Sequence, residues 1–193
     1  MAARKLPEQG RYGKRPDILV FKRSALTTEE LAVVESVYQL DDDDCDGVFN
    51  KARLAIESEF SPYSYAHRLA EYGKGLSFTI KDEDWKPLCS WKAHHGVEVG
   101  ITQIFYDSAY MLLAQQLTDG IADGSIKKKI ERSYNKPVYY PPMDTGVVFG
   151  TFDENPVIAA EVILDKYGKH TPYRKTVGGL LALTDEMIAL LLS

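Results

Sequence analysis

The chain has 193 residues, of which 45% are hydrophobic and 26% are charged, and its formal net charge is −5. This composition is ordinary for a globular protein, and the acidic total argues against a protein that simply coats nucleic acid. The apolar runs are too short to cross a bilayer, no secretory signal is visible, and two cysteines are too few for a disulfide framework. We therefore predict a cytoplasmic or otherwise intracellular protein that does not enter a membrane.

Charged residues are segregated along the first quarter of the chain. Residues 1–25 hold seven Lys or Arg and two acids, whereas residues 26–50 hold eight acids and no base. Residues 1–16 are also rich in Gly and Pro and poor in apolar side chains, which is typical of a mobile segment. We predict a flexible basic arm over residues 1–16 and a single compact domain over residues 17–193.

Local signals predict the elements of the first half of this domain. The apolar run at residues 17–21 indicates a buried strand. Thr27 and Glu30 have the spacing of a capping box, in which each side chain accepts a hydrogen bond from the backbone N–H of the other. Periodic apolar residues then predict three helices: residues 28–40, 48–60 and 65–72, the last ending at Gly73.

The second half changes from a helical to an alternating pattern and back. Strands are predicted at Leu76–Ile80 and Val97–Ile101, and Pro87 limits any strand between them to a short or edge position. The remaining predicted elements are helices over residues 108–134 and 156–167, a strand at residues 147–149, and a final helix capped by Thr184. Helices on both sides of a strand block predict an α+β domain with an antiparallel or mixed central sheet flanked by helices. The sheet would contain the strands around Ile18, Phe78, Val97 and Val147.

An acidic run between the first two predicted helices is the sharpest functional pattern. It contains the spacing D-x-D-x-D-G, which opens a calcium-binding loop and ends here at Gly47. The side chains that would hold calcium or magnesium are Asp42, Asp44, Asp46 and Asn50. The bidentate Glu expected at the twelfth position of such a loop is replaced by Arg53, which weakens the match.

The same run also has an interpretation without a metal. An exposed acidic surface can bind a basic protein partner, because complementary charge guides association. The acidic residues of this surface are Asp41, Asp42, Asp43, Asp44 and Asp46. Tyr139 and Tyr140 join them as candidate partner-binding residues, since tyrosine combines a large contact area with a polar tip.

His94 and His95, with Glu98 nearby, are the candidate catalytic residues. Imidazole and carboxylate groups can bind a metal ion or transfer protons. Neighbouring residues on a strand point to opposite faces, so both histidines serve one site only if they lie in the turn before Gly96. The alternative is a pair of structural polar residues at the start of a strand.

A basic patch is the third candidate, and we predict it on one turn of a helix. Its residues are Lys127, Lys128, Lys129 and Arg132. Lysines neutralise phosphates and neighbouring aromatic rings stack on bases, so this composition suits a nucleic-acid surface. The alternative is a solvated helix face followed by packed tyrosines.

The sequence contains no phosphate-binding glycine loop, serine-hydrolase elbow or zinc motif. Three functions are compatible with the patterns that it does contain. The first hypothesis is a non-enzymatic interaction or assembly protein, such as a phage or mobile-element accessory or structural protein. It would use the acidic lobe and the basic arm to bind protein partners or a second copy of itself. The second is a metal-dependent hydrolase or nuclease using the Asp run or His94 and His95 with Glu98. The third is a nucleic-acid-binding protein using the basic patch.

Overall fold

The computed structural model describes residues 16–36, 42–61, 63–131, 135–153, 156–164 and 170–192. Apart from Pro16, the predicted basic arm lies outside these residues, as does Arg132 of the predicted basic patch. Within this part of the chain, none of the helices is both long and apolar enough to span a bilayer.

Helices and strands alternate irregularly along the chain. The α-helices are α1 (Thr28–Glu35), α2 (Asp42–Phe49), α3 (Tyr65–Tyr72), α4 (Asp82–His95), α5 (Ala114–Ala122) and α6 (Asp185–Leu192). The strands are β1 (Ile18–Val20), β2 (Leu54–Phe60), β3 (Ile80–Lys81), β4 (Val99–Ile104), β5 (Ser108–Leu113), β6 (Lys128–Glu131), β7 (Lys136–Tyr139), β8 (Val147–Phe152), β9 (Val157–Leu164), β10 (His170–Val177) and β11 (Leu181–Leu183).

A mixed sheet of six strands, in the order β1-β2-β4-β5-β8-β11, forms the centre of the domain. Strands β2 and β4 are parallel and are connected through α3 and α4, whereas the other neighbouring pairs are antiparallel. Two smaller sheets accompany it, one of order β3-β7-β6 and one made of the β9–β10 hairpin. This arrangement confirms the α+β class.

The central sheet is covered on both faces. On one face, Ala55 of β2 packs in a cluster with residues of α4, including the fully buried Trp91. On the other face, Leu54 and Ile56 pack with Met187 of α6. Because successive strand residues point to opposite faces, the odd-numbered residues of β2 face α4 and the even-numbered ones face α6.

The structure confirms the helix caps and helix ends that were predicted from a few neighbouring residues. Thr27 and Glu30 form the predicted capping box at the start of α1, and α3 has the predicted bounds and ends at Gly73, where φ is +53°. Thr184 caps α6 by accepting a hydrogen bond from the backbone N–H of Met187. The strands predicted around Ile18, Val97 and Val147 all correspond to strands of the central sheet, although β4 begins at Val99 and not at Val97.

Three helix predictions are wrong or incomplete. The segment 48–60 contains the end of α2 and all of β2, because Leu54–Phe60 pairs with strands on both sides. The segment 108–134 contains β5, α5 and β6 rather than one broken helix. The segment 156–167 contains β9, whose β-branched residues favour pairing with β10.

The strand predictions around Pro87 and Phe78 are also wrong. Residues 82–95 form α4 although Pro87 lacks the N–H that would donate to the carbonyl of Glu83. The helix forms because its apolar residues recur along one side and bury against the sheet: Trp85, Leu88 and Trp91. Phe78 lies before the two-residue strand β3, outside the central sheet.

Candidate metal centre

Two glutamates lie on β2 beside its parallel partner β4, Glu57 in the middle of the strand and Glu59 towards its carboxyl end. Glu57 and Glu59 are separated by one residue, so both belong to the face of β2 that is turned towards α4. Glu57 is only 4% exposed, and Glu59 is half-buried. A buried carboxylate is stabilised by hydrogen bonds, ion pairs or a bound cation, which makes Glu57 an informative polar residue of the sheet.

Asp17 immediately precedes the neighbouring strand β1. Ile18 of β1 pairs with Ile56 of β2, so Asp17, one residue earlier, comes opposite Glu57. Residues directly opposite in an antiparallel pair share a face, with Cβ atoms about 5 Å apart. The Oδ2 atom of Asp17 accepts a hydrogen bond of 2.9 Å from the backbone N–H of Ser58, which fixes this carboxylate at the edge of β2.

Other polar groups continue this face towards the strand ends. Gln103 of β4 pairs with Glu59, is almost fully buried and donates a 3.3 Å hydrogen bond to the backbone carbonyl of Glu59. Ser61 extends β2 by donating its backbone N–H to the carbonyl of Ile104. Its side chain is 6% exposed, and its Oγ atom has no hydrogen-bond partner among the described residues.

A pair of tyrosines borders the polar face. Tyr110 of β5 pairs with Gln103 and stacks on Tyr65 of α3, with ring centroids 4.5 Å apart. Burial, together with the hydrogen bond to Tyr65, raises the pKa of Tyr110 far above its usual range. Tyr110 is therefore a neutral hydrogen-bonding group at any physiological pH.

The donor set of this face suits a hard cation. Asp17, Glu57 and Glu59 offer carboxylate oxygens, the ligands that Mg²⁺ and Ca²⁺ prefer. Among the side chains that the structure describes, no group of three or more His, Cys, Asp or Glu residues is placed to hold a metal ion. Magnesium, however, is usually held by one or two carboxylates, with water and substrate phosphate completing its shell.

The Asp run lies in a helix instead of a loop. Residues 42–49 form α2, and Asn50 follows its end as an exposed residue. Asp41 and the side chains of Asp42, Asp43, Asp44 and Asp46 lie outside what the structure describes. The cation site and the acidic partner surface that the sequence predicts for the Asp run therefore stay predictions. The backbone of residues 42–49 is helical, however, and does not have the loop geometry from which that cation site was inferred.

His94 and His95 end helix α4 instead of starting a strand. Their rings are 4.6 Å apart, His94 is exposed, and His95 is buried against Phe49 and Trp91. Gly96 ends the helix in the left-handed conformation, with φ of +70°. Glu98 binds Lys92 through Oε2 at 2.6 Å. This group therefore lies at the amino end of β4, whereas Glu59 and Gln103 lie towards the carboxyl ends of β2 and β4.

The basic patch lies on an edge strand, not on a helix turn. Lys128 and Lys129 are in β6 with Lys127 just before it, and all three are exposed. Lys128 approaches the ring of Tyr139 (5.7 Å) and Lys129 that of Tyr140 (5.9 Å). The predicted proximity of lysines and aromatic rings is thus present.

Both tyrosines of the patch have partners within the domain. The hydroxyl of Tyr139 donates to Oδ1 of the buried Asp82 at 2.9 Å, and that of Tyr140 donates to Glu131. The pKa of Asp82 is lowered, chiefly by the hydrogen bond from Lys86 and also by those from Tyr139 and Lys128. Tyr139 is buried, so its ring joins the small sheet to α4 and offers little surface to a partner.

Sequence reasoning missed Glu57, Glu59 and Asp17. The signal was present as two acids at alternate positions in the apolar segment Leu54–Phe60, but this segment was predicted as a helix. In a helix, residues two apart point about 200° away from each other. Only the strand assignment places Glu57 and Glu59 on one face.

Comparison with known proteins found no match at any level: no protein-family model, curated protein or solved structure is significantly similar to this chain.

Proposed function

We propose that this protein is a metal-dependent hydrolase of phosphodiesters, that is, a nuclease. The observation that carries the proposal is the buried Glu57, with Asp17 opposite it and Glu59 two residues further along the same strand face. Carboxylate oxygens on one face of a sheet are ligands that a divalent cation prefers. The cation of this proposal is a magnesium ion.

The chemistry of the donor set supports a phosphate substrate. Carboxylates alone favour Mg²⁺ over zinc, which prefers nitrogen and sulfur ligands. A bound Mg²⁺ would polarise a phosphoryl oxygen and lower the pKa of a coordinated water. Glu57, with Asp17 or Glu59, would hold the ion, while Gln103 and Ser61 would contribute uncharged hydrogen-bonding groups beside it.

Metal binding can be tested without a known substrate. We expect millimolar Mg²⁺ or Mn²⁺ to raise the melting temperature relative to EDTA, with about 2.7 kcal/mol of stabilisation at a hundredfold excess over the dissociation constant. Glu57→Gln should abolish the shift, and the exposed Glu29→Gln is the matched control. An equal shift in both variants, or no shift in the wild type, would overturn the metal site.

The hydrolytic activity needs a separate assay. Plasmid DNA, single-stranded DNA and a structured RNA would be incubated with the protein in Mg²⁺, Mn²⁺ or EDTA. We expect cleavage only with the divalent ion and at least a hundredfold slower cleavage in Glu59→Gln. Cleavage that persists in EDTA or at an unchanged rate in Glu59→Gln would mean that the activity does not come from this centre.

Self-association is a second candidate function, and one observation favours it. Exposed large apolar side chains are concentrated near the carboxyl end of the chain: Val148, Val157, Val162, Val177, Leu180, Ile188, Leu190 and Leu192. Exposed apolar side chains become more stable when they are buried in an interface, as the interaction hypothesis requires. Sedimentation of the full chain should show a dimer that Leu180→Glu converts to a monomer. A wild-type monomer at all concentrations would reject this candidate.

A further inference from the structure

Helix α3 follows β2 directly and lies on the surface. None of its eight residues is buried, which is unusual for a helix next to a central sheet. Its position is nevertheless fixed at the start. The backbone carbonyl of Tyr63 accepts from the N–H of Tyr106, and the backbone N–H of Tyr65 donates to Asp107 at 2.7 Å. Both contacts attach α3 to the turn between β4 and β5, beside the carboxyl ends of β2 and β4.

The exposed side of this segment carries a ladder of planar groups, here defined as Tyr63, His67, Arg68 and Tyr72. The rings of Tyr63 and His67 are stacked, with centroids 5.0 Å apart and an angle of 10° between their planes. The guanidinium carbon of Arg68 lies 4.8 Å from the ring centre of Tyr63 and 4.8 Å from that of Tyr72.

The ladder is ordered without being buried. Tyr63 is 42% exposed and Tyr72 is 50% exposed, so each ring offers a large area to solvent. Arg68 also binds Glu71 at 2.9 Å and donates to the hydroxyl of Tyr72 at 3.3 Å. These contacts hold the planar groups in place before any partner arrives, which reduces the entropy cost of binding.

We propose that the ladder on α3 binds a strand of nucleic acid, with bases stacking on Tyr72 and on the Tyr63–His67 pair. Exposed aromatic rings are sequence-tolerant platforms for bases, and an Arg adds cation–π and phosphate contacts. Lys74, exposed just after the helix, supplies a further cation, and Glu71 is the one acid of this segment. The proposal names the substrate class of the metal centre and in that respect rests on the proposed function.

The test measures binding under conditions where cleavage cannot occur. Fluorescence anisotropy would be recorded in EDTA with a fluorescein-labelled single-stranded DNA of about 20 nucleotides and with its duplex. We expect the single strand to bind at 50 mM salt and to weaken steeply at 200 mM. Tyr72→Ala should weaken binding by about 5- to 100-fold, as loss of one stacking platform predicts, whereas Tyr72→Phe should bind like the wild type.

Matched controls separate nucleic-acid binding from other roles of the helix. Arg68→Ala should weaken binding, but the exposed Arg23→Ala on a distant turn should not. Leu69→Ala removes an exposed apolar side chain of the same helix (43% exposed) and should leave DNA affinity unchanged. If no DNA binds at 50 mM salt, or if Tyr72→Ala and Arg68→Ala bind as the wild type does, the proposal is wrong.

The outcome is independent of the metal centre. DNA binding is measured in EDTA, so it requires the ladder but no divalent ion. DNA binding that depends on Tyr72, without any divalent-ion shift, would support the ladder and reject the proposed nuclease. Metal-dependent cleavage with unchanged binding in Tyr72→Ala would support the nuclease and reject the ladder.

Discussion

Replacing Gly47 by Ala distinguishes the helical structure of the Asp run from a cation-binding loop. In the structure, Gly47 is the sixth of the eight residues of α2, is exposed, and has no left-handed φ. A Cβ atom built on it meets nothing within 4 Å. In a calcium loop, by contrast, this glycine makes a sharp turn that a side chain disfavours.

The expected effect follows from helix propensity. Ala is more favourable than Gly by about 1 kcal/mol in the middle of an exposed helix. Gly47 is two residues from the end of α2, where helices fray, so we expect a gain of about 0.5 kcal/mol. In a protein of this size, such a gain raises the melting temperature by about 1–2 °C.

Urea unfolding followed by circular dichroism would measure this difference in EDTA and in millimolar calcium. The control is Gly73→Ala, because Gly73 ends α3 with φ of +53° and should lose about 1 kcal/mol when a Cβ is added. If Gly47→Ala destabilises the protein as Gly73→Ala does, then Gly47 occupies a turn and the helical assignment of this segment is wrong.

Two further predictions concern the stability of the fold, one at the buried Asp82 and one at Gly150. Asp82→Asn should cost about 1–2 kcal/mol at pH 7, because the buried hydroxyl of Tyr139 loses a charged acceptor. The native pKa of Asp82 is lowered, so its stabilisation is present above about pH 4 and is lost as the pH falls through that native pKa. The difference between the two proteins in urea unfolding should therefore shrink in acid, and a constant difference would refute the role of the charge. Gly150→Ala places a Cβ 2.5 Å from the backbone carbonyl oxygen of Ala182 and should lower stability by about 1–3 kcal/mol; an unchanged melting temperature would contradict this close approach.

Signals confined to a few neighbouring residues predicted the helix caps correctly. The capping box of Thr27 and Glu30 needs only one turn of helix, and Gly73 ends α3 for a reason internal to its own backbone. The pattern of apolar residues over residues 50–60 is compatible with a helix and with a strand. Its outcome depended on β1 and β4, which pair with β2 from distant parts of the chain, and such tertiary context overrides local propensity.

The candidate site was not predicted because residues 48–60, which contain β2, were predicted to be a helix. Glu57 and Glu59 lie on one face only if β2 is a strand, and Asp17 comes opposite Glu57 only through the register between β1 and β2. The basic patch shows the opposite case. Its proximity to the tyrosines was predicted, yet the burial of Tyr139 against Asp82 could not be read from the sequence, because Asp82 and Tyr139 are 57 residues apart.

The pairing of β2 between β1 and β4 also determines how the chain must fold. Ser58 is hydrogen-bonded to Asp17, 41 residues away, and to Thr102, 44 residues away. Closing a loop of such length costs about 3 kcal/mol of chain entropy before any sheet contact compensates it. Proteins dominated by pairings of this kind refold in milliseconds to seconds, more slowly than helical bundles. The proposed metal centre, which needs both pairings, would therefore be among the last parts of the molecule to assemble, and recovery of any metal binding would track the slow phase of refolding.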